Sequence, residues 1–115
     1  MIPIDLQVTL DVTLCITLYV TPMIVSFLDR TTEAVFHRQR VKAVHPELAR
    51  AVLRKLLIIA AATDLNDLRV PPGNRLEALS GNRAGQHSIR VNDQWRICFE
   101  WRDGAAHDVE LTDYH

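Results

Sequence analysis

Near the end of the sequence Asp113, Tyr114 and His115 put a carboxylate, a phenol and an imidazole in consecutive positions, each able to move or hold a proton. Strand alternation places Asp113 and His115 on one face and Tyr114 on the other, yet a chain end can twist so that all three edge a common cleft. Upstream, Arg69, Arg75, Arg83, Arg90 and Arg96 face only Glu77 and Asp93, with His87 among them. The planar fork of arginine binds phosphate bidentately. Such a stripe, near Trp95 and bends at Gly81 and Gly85, suits a single RNA strand held by phosphate contacts and stacking; it also fits a solvated hairpin face. Arg96 has the opposite parity to Trp95 and Trp101. It is therefore expected to point away from the core layer those two fill, to face the cleft and to support little packing.

These residues need a scaffold, and the chain has room for one domain. It has 115 residues, 48% hydrophobic and 23% charged, which excludes wholesale disorder, collagen and disulfide scaffolds. Thirteen Lys plus Arg against fourteen Asp plus Glu give no overall basicity, but eleven of the thirteen are arginine, a lean towards phosphate partners. Cys15 and Cys98 are too few and too far apart for a stapled fold or a zinc site. No metal or cofactor is implied. Asp5 and Asp11 interrupt the first 22 residues, which also lack a basic lead, so neither a signal peptide nor a spanning helix fits. The expected location is the cytoplasm, away from membranes.

Every even position from Ile2 to Val20 is apolar, which is strand periodicity. One strand of that length reaches roughly 60 Å at about 3.3 Å per residue, whereas a domain made from the rest has a radius of gyration of about 12 Å. Residues 1–22 are accordingly expected to be a dispensable extension or a mis-assigned start, and residues 23–115 the folded domain.

Within that domain Ile24, Val25 and Phe27 suggest a short strand, and Asp29 and Thr32 offer caps for a helix carrying Ala34, Val35 and Phe36. His45-Pro46-Glu47 opens a longer helix, with proline at its first position and an acid in its first turn. Its apolar rows, Leu48, Val52, Leu56, Ala60 and Ala49, Leu53, Leu57, run to about Thr63, and residues 64–68 continue helically for a turn. Pro71-Pro72-Gly73-Asn74 ends it. The period then switches to two: a strand over 86–91, a two-residue turn at Asn92-Asp93, a returning strand with Trp95, Ile97, Phe99 and Trp101 on one face, a turn at Asp103-Gly104 and a third strand through Val109 and Leu111. The class is α+β, with N-terminal helices packed on a small antiparallel sheet.

The run Leu68-Arg69-Val70-Pro71-Pro72-Gly73-Asn74-Arg75-Leu76-Glu77-Ala78-Leu79, with Arg83-Ala84-Gly85-Gln86-His87-Ser88-Ile89-Arg90, Asn92-Asp93-Gln94-Trp95-Arg96-Ile97-Cys98-Phe99 and the final Asp113-Tyr114-His115, resembles the HigB-type toxins of the RelE/ParE superfamily. The resemblance covers 23–115 and includes Met23-Ile24-Val25-Ser26-Phe27, where such toxins usually begin. It implies a RelE-like fold and a type II toxin that cleaves mRNA on the ribosome without metal. It also implies silencing by a helix-turn-helix antitoxin of the HigA type. The implied catalytic positions are Arg96, Asp113, Tyr114 and His115; the implied RNA-binding positions are Arg75, Arg83, His87, Arg90 and Gln94. Where the family commonly has a lysine and an aspartate, this chain reads Ser80 and Asn82. The alternative of another class is a non-catalytic protein of the same fold, a gyrase inhibitor or an antitoxin partner. RNA cleavage of this kind needs a base for the 2′-hydroxyl, an acid for the leaving 5′-oxygen and a cation for the phosphate. His115 suits proton transfer at cellular pH, Asp113 can orient it or share that transfer, Arg96 can pair with phosphate oxygens, and Tyr114 can stack or donate.

Overall fold

The computed structural model describes residues 23–113. The expectations for residues 1–22, and for Tyr114 and His115, lie outside the described residues. Helix α1 spans Arg30–Phe36, and the Asp29 carboxylate accepts from the Thr32 N–H at 3.1 Å, the cap expected for a first turn of orphan donors. α1 closes on a Schellman turn: Gln39 N–H donates to Ala34 O and Arg38 N–H to Val35 O. Arg38 sits there at φ 60°, where glycine is the usual choice.

Helix α2, Pro46–Ala61, starts where His45-Pro46-Glu47 places it, and the His45 ring nitrogen accepts from Glu47 N–H. A short 3-10 turn, Leu65–Arg69, follows, held by a capping box between Asp64 and Asp67. The Asp67 carboxylate accepts from Thr63 N–H, Asp64 N–H and the Thr63 hydroxyl, and those bonds, the backbone ones foremost, hold it below the usual carboxylate range. A folded-state value below the unfolded one adds stability above the unfolded value and loses it as the pH falls through the folded one. The urea-midpoint difference between the wild type and Asp67→Asn at neutral pH should therefore close as the pH drops below about 4. A difference that persists in acid would show that the carboxylate charge does nothing there.

The sheet is antiparallel with order β1-β2-β3-β4, formed by Glu77–Ala78, Gln86–Arg90, Trp95–Arg102 and Ala105–Asp113. Its helix-facing side carries Ile89, Ile97, Phe99 and Val109, all fully buried, against Val52, Leu56 and Ile59 of α2. Asp103 and Gly104 have φ of 53° and 76°, the consecutive positive angles of a primed two-residue turn.

Four expectations change. The two-residue turn at Asn92-Asp93 is a four-residue loop over 91–94 without positive φ. The Asn92 carboxamide accepts from Gln94 N–H (2.9 Å) and Trp95 N–H (2.8 Å), so the side chain builds an Asx turn instead of a left-handed pair. Trp95 is half-buried outside the core cluster, whereas Trp101 packs against that cluster. The stretch 24–27 is no regular strand: it makes isolated parallel bridges, Ile24 with Ala106 and Phe27 with Val109, on the free side of β4. Arg96, expected to face the cleft and support little packing, is only 6% exposed.

The strand β4 also carries a bulge. Register changes between Cys98/Glu110 and Glu100/His107, leaving Asp108 and Val109 opposite Phe99, with Asp108 at φ 52°. Ser26 braces it: its hydroxyl accepts from Asp108 N–H (2.9 Å) and its carbonyl from Val109 N–H (3.1 Å). The bulge lets both Val109 and Ala106 be buried despite their odd separation.

Candidate functional site

The side of the sheet away from the helices holds the polar residues of β2, β3 and β4. Ser88 pairs in register with Cys98, Cys98 with Glu110, Arg90 with Arg96 and Arg96 with Thr112, so these six share one face. A cleft of about 230 Å³ opens there, lined among others by Glu77, Ser80, Asn82, Arg83, Cys98 and Thr112. The loop between β1 and β2, with a 3-10 turn at Gly81–Arg83, forms its rim.

Arg96 lies beside this cleft, buried against its wall. Its Nε donates to Ser88 Oγ at 2.8 Å, and Nη2 donates to the Arg75 carbonyl at 2.6 Å and to Ser88 O at 3.4 Å. The Glu77 carboxylate, half-exposed at the cleft, lies 3.6 Å from the same nitrogen. A buried guanidinium is tolerated because its donors are matched to a hydroxyl, two carbonyls and an acid. The result is a cation of fixed orientation next to a polar cleft, with the half-exposed Glu77 carboxylate beside it.

The other sequence candidates divide. Arg83 lines the cleft, paired to Glu110 at 3.1 Å and donating to Gln86 Oε1 at 2.8 Å. Arg90 is on the same face and pairs with Asp93. Arg75 is exposed at φ 47°, and its carbonyl faces Arg96. Gln94 Nε2 donates to Asp113 Oδ2 at 3.2 Å. Asp113 is exposed and stands opposite Trp95, one residue beyond Thr112, the partner of Arg96; alternation puts Asp113 and Arg96 on different faces. His87 is not brought to the cleft. It pairs in register with Phe99 on the helix-facing side and stacks on it, ring centroids 6.4 Å apart.

Glu77, Ser88, Cys98, Glu110 and Thr112 were not singled out from the sequence. Parity with Arg96 on β3 would have found Cys98, but Glu77 stands on a two-residue strand that leaves no periodic signal. Ser80 and Asn82, the positions that depart from the family pattern, both line the cleft. Among the described residues no group of three or more His, Cys, Asp or Glu side chains converges as metal ligands would. No described helix is long and apolar enough to cross a membrane.

The family described as "RelE-like toxin of type II toxin-antitoxin system HigB" matches residues 25–115. The chain is 44% identical over 90 residues to Toxin HigB-1 of Vibrio cholerae, covering 77% of this chain and 95% of that protein. It is 30% identical over 93 residues to Endoribonuclease HigB of Proteus vulgaris, covering 81% of this chain and all of that protein.

Proposed function

The chain belongs to the HigB family of RelE-like toxins of type II toxin–antitoxin systems, and from that premise we propose that it is an endoribonuclease cutting mRNA on the ribosome, held silent by an antitoxin of the helix-turn-helix, HigA type. The observation that carries this is the guanidinium of Arg96, oriented by three fixed acceptors beside a polar cleft of the sheet. It is the kind of fixed cation that the added charge on a phosphate in flight requires.

In the proposed reaction the 2′-hydroxyl of one nucleotide attacks the adjacent phosphorus, a base takes its proton, and an acid supplies a proton to the departing 5′-oxygen. The products are a 2′,3′-cyclic phosphate and a 5′-hydroxyl. An incoming phosphate competes with Glu77 for Arg96, exchanging one anion for another at a buried cation. We assign the proton transfers to His115, with Asp113, which alternates to the face opposite Arg96, orienting it or sharing the transfer by relay, and Tyr114 stacking or donating. Arg83 and Arg90 lie on the same face and, with the exposed Arg75, are the RNA-backbone cations of this scheme. Gln94 supports Asp113 from the neighbouring loop. His87, stacked on Phe99, is assigned to packing. We place the working domain at 23–115 and the whole system in the cytoplasm.

Mapping mRNA 5′ ends after brief induction tests this directly. New 5′-hydroxyl ends within translated codons, suppressed by co-expression of the neighbouring antitoxin gene, are the expected result. Growth arrest with no new ends would instead select the contact-poison alternative.

A further inference from the structure

Asn74 is a polar side chain with no exposure at all, at the end of the short turn Pro72–Asn74. Its Nδ2 donates to Leu68 O at 3.1 Å and Val70 O at 3.3 Å, and its Oδ1 accepts from Lys55 Nζ of α2 at 2.6 Å. All of its polar atoms thus tie the chain over 68–74 to helix α2. The next residue, Arg75, is in the left-handed region at φ 47°, its N–H bonded to Pro72 O. Its carbonyl receives Arg96 Nη2 at 2.6 Å.

A non-glycine residue in the left-handed region stays there only when its surroundings hold it. Arg75's own backbone bonds run to Pro72 and Arg96, and the residue before it, Asn74, is anchored to Leu68, Val70 and Lys55. Lys55 gives up solvent to reach it: burial first, and then the charges of Arg54 and Arg90, hold its ammonium below the usual lysine range.

We propose that Asn74 is a positioning residue for Arg96: its buried amide fixes the Pro72–Arg75 turn so that the Arg75 carbonyl holds one end of the guanidinium. Lys55 completes the clamp from α2. Without it the turn relaxes, Arg75 leaves the left-handed region, and Arg96 keeps Ser88 but loses the Arg75 carbonyl. The kinetic part of this rests on the nuclease function proposed above; the structural part does not.

The test has two arms. In the first, the Arg96 Nη2–H signal of the isotopically labelled full chain, the donor to the Arg75 carbonyl, is followed by NMR. It should shift and exchange faster with water in Asn74→Ala and Lys55→Met, and also in Asn74→Asp, which keeps the acceptor for Lys55 but loses both donors. It should be unmoved in Asp29→Ala, which loosens α1 instead. In the second arm, single-turnover cleavage in Asn74→Ala should fall about 10²-fold, the cost of displacing a positioned group by about 1 Å, with KM little changed. In an Arg96→Lys background the same substitution should cost nothing further, because the pair acts as a unit. An unmoved Arg96 signal, or cleavage losses that add, would overturn the clamp. A shifted signal in a protein that cleaves no RNA would leave the clamp standing and sink the nuclease proposal instead.

Discussion

Arg96→Ala should lose both cleavage and stability. In the proposed reaction this removes the phosphate's fixed cation, a loss that in comparable sites costs about 10² to 10³-fold in rate. It also leaves Ser88 Oγ and the Arg75 carbonyl without their donor inside the protein, a penalty of about 1–3 kcal/mol for an unsatisfied buried group. Glu77 is half-exposed and regains water, so the larger cost of an orphaned buried charge is avoided. Urea unfolding and mapped cleavage on the same preparations separate the two losses. Arg96→Lys keeps the charge but not the fork and should fall between. Normal cleavage by a folded Arg96→Ala protein would remove this residue from the chemistry.

His115→Ala and Asp113→Ala should silence cleavage at little cost to the fold. Loss of a general acid or base typically costs about 10² to 10⁴-fold. Asp113 is exposed at the end of β4, where substitutions usually stay within about 0.5 kcal/mol. The two should be far from additive if they share one proton path. Both proteins arresting growth without cleaving mRNA would point to inhibition by contact alone.

What the sequence disclosed and what it hid follow from the range of the interactions. Asp29, His45-Pro46-Glu47 and Asp103-Gly104 act within a few residues of themselves, and each is where local chemistry placed it. The fold class followed from the switch between helical and strand periods. The face of Arg96 was legible from parity with Trp95 and Trp101; its burial was not, because the covering carbonyl belongs to Arg75, 21 residues away. Nor could the bulge at Asp108 be read, since its brace is Ser26, separated by 82 residues. The Asn92 loop failed for a subtler reason: asparagine serves both a primed turn and an Asx turn, and only the flanking strands decide between them.

The segment 24–27 flanks β4 on the side away from β3. β4, the last of the described strands in sequence, therefore enters between a partner made long before and one made just before. Until it emerges, β3 and the N-terminal segment each expose an unpaired edge, and the long-range closure between 24–27 and 106–109 is delayed. The wall of the cleft contributed by Thr112 is missing for the same interval. Moving the β4 segment to the front of the chain by circular permutation would remove that delay.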